Sequence, residues 1–277
     1  MIQETLDQLS KAWFFTKLNI IHVFNQIHIW EDDEKYTAFQ TWWDLFEQLV
    51  MLFDLKNEPS IFQHYINDKL HDFLNIFVTA YIDDILIYLF MLSEHQRHVW
   101  MILEWLQEAG LQCDIKKCKF HATKIMYLDL IVSHNDIKMN SVKIKVIIDW
   151  ESSWNIHDVQ AFLEFANFYQ QFIQHFSKIV QLLMNLIKKN MKFLWDMICE
   201  HMFNDLKKWF MTALILAHFD SDLECVLKAD SSYHVQEDVL SQYNKNDVLC
   251  SIVFFSQKLN AAESNYEIYD KELLTII

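Results

Sequence analysis

The run Tyr81-Ile82-Asp83-Asp84 holds the residue types that most directly imply chemistry. Two adjacent carboxylates at the tip of an apolar hairpin reach the same ion, and Mg²⁺ is typically held by one or two carboxylates together with substrate phosphates. Taken alone the pair is also an ordinary turn, since Asp is a common turn residue, so the surrounding sequence has to decide. Cys113, Cys118 and His121 form a second candidate, three ligand-type side chains without a clear fourth, and packed thiols describe them better than a structural zinc. The 13 histidines are scattered, and Lys143, Lys145, Lys188 and Lys189 read as a solvated face before they read as a template contact.

The elements that must position the aspartates are legible on either side of them. Pro59 to Phe73 has Pro near a helix start and Phe62, Ile66, Leu70 and Phe73 at helical spacing. Ile76 to Tyr88 is β-branched and aromatic on both sides of the aspartates, which predicts two short strands around a polar tip. His98 to Ala109 is an amphipathic helix with Gly110 placed as its C-terminal cap. Phe73 to Leu92 is long enough to span a bilayer. Asp83 and Asp84 in its middle would each cost about 2.5–3.5 kcal/mol there, so a buried hairpin is expected instead. Further on, Asn155 caps a helix carrying Val159, Phe162, Leu163, Ala166, Tyr169 and Ile173, and Cys199, Met202, Phe203, Leu206 and Phe210 repeat the pattern. Strands are expected at Cys225 to Leu227 and Ile252 to Phe255, and a helix from Ser264 to Ile277.

Composition bounds what these elements serve. The 277 residues are 52% hydrophobic and 15% aromatic, which excludes a disordered chain. Gly110, Pro59 and Arg97 are the only residues of their types. A glycine-rich phosphate loop is therefore excluded. A net charge of −15 repels a phosphate backbone on average. Five widely spaced cysteines fit reduced thiols, and no secretory signal is visible, so an intracellular protein, cytoplasmic or nuclear, is expected.

An ordered series of motifs changes the weighting. It runs through Phe15-Thr16-Lys17-Leu18-Asn19-Ile20, Phe24-Asn25-Gln26-Ile27, Thr37-Ala38-Phe39, Phe46-Glu47, Asn57 to Gln63, and Tyr81 to Asp84 followed by Ile85-Leu86-Ile87-Tyr88. It continues in Lys117 to His121, Phe165 to Tyr169, Phe254-Phe255-Ser256, Asn265-Tyr266-Glu267 and Lys271-Glu272-Leu273-Leu274. In this order the chain resembles the reverse transcriptase and RNase H part of the Pol polyprotein of gypsy-type LTR retrotransposons.

The resemblance implies an α+β chain. A right-hand polymerase palm is expected over 1–138 and a helical thumb or connection over 139–212. The N-terminal part of an incomplete RNase H-like α/β domain is expected over 213–277. It implies an RNA-directed DNA polymerase using two Mg²⁺ ions for nucleotidyl transfer. Template–primer RNA or DNA, deoxynucleotides and the other Pol segments would be its partners, and no membrane. Asp83 and Asp84 match two of the family's three metal-holding palm aspartates, and Asn19 stands at the third position. Phe24 matches the aromatic that checks the nucleotide sugar, with a core aromatic on a strand as its plainer reading, and Gln63 falls in a nucleotide-side motif. In the RNase H-like part Asp230 and Glu272 match metal carboxylates, and Lys228 two residues before Asp230 opposes a cation.

Departures from the family all lie in one direction. Pro-Phe-Gly-Leu reads Leu52-Phe53-Asp54-Leu55, Leu-Gly after Tyr127 reads Leu128-Asp129, and Phe-Leu-Gly-Phe reads Phe162-Leu163-Glu164-Phe165. The paired arginines read Gln170-Gln171, and His28 stands for another arginine. Each change is a single G·C to A·T step, the pattern of an element eroded by C-to-T mutation. A gene without C-to-T excess against sister copies would overturn this. The family's fingers segment and its last RNase H carboxylates are expected to be missing. The copy is therefore expected to be inactive or nearly so. The alternative is a non-catalytic nucleic-acid-binding or protein-binding module, or a relic derived from the element.

Overall fold

The computed structural model describes residues 2–53, 55–152, 155–189, 192–213, 215–231, 235–260 and 262–276. Asp54 and Ile277, named above, lie outside them. The described residues form two compact units, 1–127 and 128–277.

The first unit contains α1 (Ile2–Leu9), β1 (Phe14–Asn19), a two-residue hairpin β2 (Phe39–Gln40) and β3 (Leu45–Phe46), α2 (Glu58–Lys69), β4 (Val78–Tyr81), β5 (Asp84–Leu89), α3 (Leu92–Glu108), β6 (Lys119–Ala122) and β7 (Lys124–Tyr127). An antiparallel sheet in the order β4-β5-β1-β6 is its frame. Side chains alternate across a strand. Thr16 and Leu18 of β1 thus turn to one face, where Leu18 joins a core with Phe62 and Ile66 of α2 and Val99 and Ile102 of α3. Lys17 and Asn19 share the opposite face. The expected helix after Pro59 is α2, and the expected hairpin is β4 and β5. α3 begins at Leu92, six residues before the predicted start, and ends as predicted at Gly110, whose φ of +72° is the left-handed value a helix C-terminus uses. No described helix is long and apolar enough to cross a membrane; the apolar run around Asp83 is this hairpin.

The second unit holds β8 (Leu130–Ser133), β9 (Asp136–Met139), α4 (Ser141–Ile148), α5 (Ile156–Phe168), α6 (Phe176–Leu186), α7 (Met197–Met211), β10 (Leu216–Ala217), β11 (Cys225–Ser231), β12 (Val235–Tyr243), β13 (Leu249–Lys258) and α8 (Ile268–Ile276). Three of its helices start on side-chain caps: Asn140 accepts from the Val142 N–H, Asn155 from Asp158 and Asp196 from Cys199. Tyr169 and Ile173 fall past the end of α5, on either side of a 3₁₀ turn at Gln170–Phe172. β8 pairs with β9 and β10 adds to β9, while β11-β12-β13 form an antiparallel sheet against which α8 packs.

Candidate active site

Asp83 and Asp84 stand at the β4–β5 turn, where Tyr81 pairs with Asp84 and leaves Ile82 and Asp83 as the two central residues. Ile82 has φ +51°. A positive φ at the first central position suits a two-residue hairpin but is normally left to Gly, and a β-branched side chain there is strained. Gln63 of α2 holds this turn in place. Its side-chain oxygen accepts the Ile82 N–H at 2.8 Å, and its amide nitrogen donates to the Ala80 carbonyl at 3.0 Å and to Asn67 at 2.8 Å. Both ends of the Gln63 amide are thus engaged with protein.

Register brings the third member in. β1 pairs with β5 so that Asn19 lies opposite Asp84, and the Ile20 N–H donates to the Asp83 carbonyl at 2.7 Å. The Asn19 amide nitrogen donates to Asp83 Oδ2 at 2.8 Å and to Asp84 Oδ1 at 3.1 Å. The opposite amide orientation would aim an oxygen at two carboxylate oxygens, so the hydrogen-bond pattern fixes it. Lys17 lies opposite Leu86, diagonal to Asp84, and its Nζ is 2.6 Å from Asp84 Oδ2. Side-chain exposure is only 17% for Lys17 and 20% for Asp84, so the pair is shielded from bulk water. Sequence reading brought Asn19, Asp83 and Asp84 together and missed the role of Lys17. Two-residue alternation from Asn19 was the signal available.

These residues do not fit a divalent metal as they stand. Of the four carboxylate oxygens, three already accept from Asn19 or Lys17. The cluster carries two negative charges and one positive, where hard cations require unengaged anionic oxygens. Behind it, the Asn19 N–H donates to Cys118 Sγ at 3.4 Å, and Cys113 sits beside Cys118. Burial, reinforced by Cys118, pushes the Cys113 thiol up to about 12, so it stays protonated at neutral pH. His121 is directed elsewhere: its ring meets His95 edge-on at 5.2 Å. Among the described residues no group of three or more His, Cys, Asp or Glu is placed to hold a metal.

Phe24 is not on a strand, as its plainer reading had it. It lies in a 3₁₀ turn, Phe24–Gln26, half-buried with its ring 5.9 Å from Phe53 and 6.0 Å from Phe62. The polar Asn25 and Gln26 are exposed, which is why the chain turns here and does not extend β1.

In the second unit Asp230 lies on β11 opposite Glu237 of β12. A small pocket there is lined by Asp230, Lys228, Glu237, Asp238, His175 and Phe254 among others. Glu237 Oε2 pairs with His175 Nδ1, while its other oxygen is buried with no hydrogen-bond partner among the described residues. Glu272 is exposed on α8 and is not among the residues lining the pocket. Sequence reading singled out neither Glu237 nor His175. Cross-strand pairing of Asp230 with Glu237 could not be read without β12.

The chain is similar to known proteins over both units. Residues 2–132 match a family model described as reverse transcriptase (RNA-dependent DNA polymerase). Residues 195–277 match one described as an RNase H-like domain found in reverse transcriptase. All 277 residues align at 30% identity with the transposon Tf2-3 polyprotein of Schizosaccharomyces pombe, and at 29% with its Tf2-7 polyprotein. The chain spans 21% of the length of each, so these relatives are larger polyproteins. Among solved structures, 98% of the chain superposes on a foamy viral protease-reverse transcriptase in complex with an RNA/DNA hybrid, with a TM-score of 0.83, 20% identity and 37% of that chain covered. The same viral protein in complex with dsDNA matches with a TM-score of 0.82 and 19% identity over 57% of its chain.

Proposed function

The chain belongs to the reverse transcriptase family, in the polymerase and RNase H-like region of retrotransposon polyproteins, and from that premise we propose that it carries an RNA-directed DNA polymerase palm whose centre no longer performs nucleotidyl transfer. The observation that carries the proposal is Asn19. It stands where the family has a metal-holding aspartate and donates hydrogen bonds to both remaining carboxylates. A neutral amide of nearly the same shape keeps the strand register and removes the charge the reaction needs. Losing a clamp worth several kcal/mol slows a phosphoryl transfer on the order of a thousandfold or more. The family is metal-dependent in general, and this cluster does not accommodate such ions.

The partition into palm over 1–138, helical connection over 139–212 and RNase H-like segment over 213–277 serves this reading. A template–primer duplex would lie along the sheet face that presents Lys17, Asn19 and the hairpin tip, and a deoxynucleotide beside Phe24. Gln63 acts here by positioning Ile82, since both ends of its amide are taken by protein. In the RNase H-like segment Asp230 and Glu272 keep the family's positions, and Asp230 sits beside Lys228 in the pocket. Five unpaired cysteines are consistent with an intracellular site of action.

Primer extension on an RNA template, with Mg²⁺ and separately with Mn²⁺, tests the proposal on the chain as it stands and on Asn19→Asp. The unmodified chain is expected to extend no primer, and extension above a no-enzyme control would overturn the reading. Filter binding at graded salt tests the groove. Affinity that falls steeply as salt rises supports a phosphate-tracking palm, whereas no binding even at low salt supports a non-binding relic.

A further inference from the structure

We infer that Lys17 and Asn19 act as a built-in replacement for the metal, making Asp83 and Asp84 a closed, charge-compensated cluster that excludes divalent cations. The cluster is defined by side-chain geometry and not by the polymerase reading, so its cation binding is read separately from primer extension. A divalent ion between two carboxylates does two things: it supplies positive charge and it orders the oxygens. Here both are done by protein. The Lys17 ammonium supplies the charge at 2.6 Å from Asp84 Oδ2. The Asn19 amide supplies the order, one nitrogen tying Asp83 to Asp84 at 2.8 and 3.1 Å. An ion entering the site would have to displace the ammonium from a shielded position and then sit near it. It would also have to turn the Asn19 amide over, exposing its nitrogen to the cation. Both requirements act against binding, and both are local to β1.

Two features keep the cluster from relaxing. Asn19 is held through its backbone on three sides: by the Cys118 sulfur at its N–H, by the Asp114 N–H at its carbonyl, and by the Ile20 N–H to Asp83 contact that follows it. Asp83 and Asp84 are held by the turn that Gln63 clamps. Repairing residue 19 alone would therefore leave Lys17 in place, and the inference assigns Lys17 an independent share of the exclusion.

Titrating MnCl₂ against the full chain, with free Mn²⁺ followed by electron paramagnetic resonance, tests this without any assay of activity. The unmodified chain and Asp84→Asn are expected to be indistinguishable. Asn19→Asp is expected to bind, and Asn19→Asp combined with Lys17→Met to bind more tightly still, with a gain on the order of tenfold or more over the unmodified chain. The melting midpoint of the double variant should rise with added Mn²⁺, while that of the unmodified chain should not move. Mn²⁺ binding by the unmodified chain that Asp84→Asn abolishes would overturn the inference. So would a folded double variant that gains nothing. If the double variant does not fold, Lys17→Gln, which keeps a donor at Asp84 and drops the charge, takes its place. A gain in Mn²⁺ affinity then supports the inference and no gain overturns it.

Discussion

The carboxylate cluster at the β4–β5 turn and the carboxylates of the second unit are held in different physical ways. At the β4–β5 turn, Asn19 is a neutral amide beside two carboxylates, and its nitrogen donates to both, tying Asp83 to Asp84. In the second unit two carboxylates are less well accommodated. Asp129 has a φ of +59° and follows a Leu128 already at +50°. Its carboxylate reaches Lys143 at 3.0 Å, but the backbone conformation is one that a side chain makes costly. Glu237 brings a carboxylate opposite Asp230, and one of its oxygens is buried without a partner among the described residues. A neutral amide between carboxylates is satisfied by its neighbours, whereas the Asp129 and Glu237 carboxylates sit on strained backbone or go partly unsatisfied. The first unit should therefore be vulnerable through its buried polar contacts and its strained Ile82 turn, and the second through the 128–129 turn and the buried Glu237 carboxylate.

The largest expected effect follows from a buried network behind the palm sheet. His95 of α3 is fully buried, its Nε2 lies 2.8 Å from Thr16 Oγ1, and the same hydroxyl accepts the His121 N–H at 3.0 Å. Burial, then the neighbouring His121 and His98, pulls the His95 pKa down to about 4. Glu94 and Arg97 flank it on the helix, and Phe14 packs on its ring. Above pH 6.5 the ring is neutral whether the chain is folded or not. As the pH falls from 6.5 toward 4 the unfolded chain takes up a proton that the folded chain refuses, so stability drops, by about 3 kcal/mol over that window, and then levels. Amide exchange in β1 and β6, corrected for intrinsic rates, should accelerate on the order of a hundredfold between those limits, with no matching change in β12. His95→Leu should flatten the profile. An equal loss in both units would break the contrast between them.

A smaller effect is expected at the hairpin. Gln63→Ala removes the acceptor for the Ile82 N–H and leaves a left-handed isoleucine unsupported, at a cost of about 1–3 kcal/mol in urea denaturation. Ile82→Gly removes the strain that Gln63 opposes. In that background Gln63→Ala should cost about 1 kcal/mol less than it does alone, and a double-mutant cycle reads the coupling. Strict additivity would mean that Gln63 does not hold the turn.

How much of this was legible in the sequence depended on how local the signal was. α2, α3, α5 and α7 were readable because apolar residues recur at helical spacing and because Pro59, Gly110 and Asn155 mark ends of the first three by their own chemistry. β12 went unread because polar side chains are buried along it: Gln236, Asp238, Ser241 and Gln242 are all buried, so Val235–Tyr243 shows no apolar alternation. β6, β7, β8 and β9 are four residues each, too short for a period to show. At the site, Asn19, Asp83 and Asp84 were assembled by motif order. Lys17 was hidden because its partner is 67 positions away and only the β1–β5 register brings them together.

The smallest effect separates two sites within the second unit itself. Asp129 and Glu164 are both acidic, but Asp129 is in a left-handed turn and Glu164 is on the exposed face of α5. Glycine uses its freedom at the first and wastes it at the second. Asp129→Gly relieves a positive φ and loses a half-exposed ion pair with Lys143 that contributes little. It should stabilise by up to about 1 kcal/mol. Glu164→Gly should destabilise by about 0.5–1 kcal/mol, the ordinary cost of glycine inside a helix. Chemical denaturation of the two variants side by side reads the sign at each. Opposite signs locate the cost of Asp129 in the backbone of the 128–129 turn. If both variants destabilise, the turn tolerates its aspartate, and the difference drawn between the units rests on the buried carboxylate of Glu237 alone.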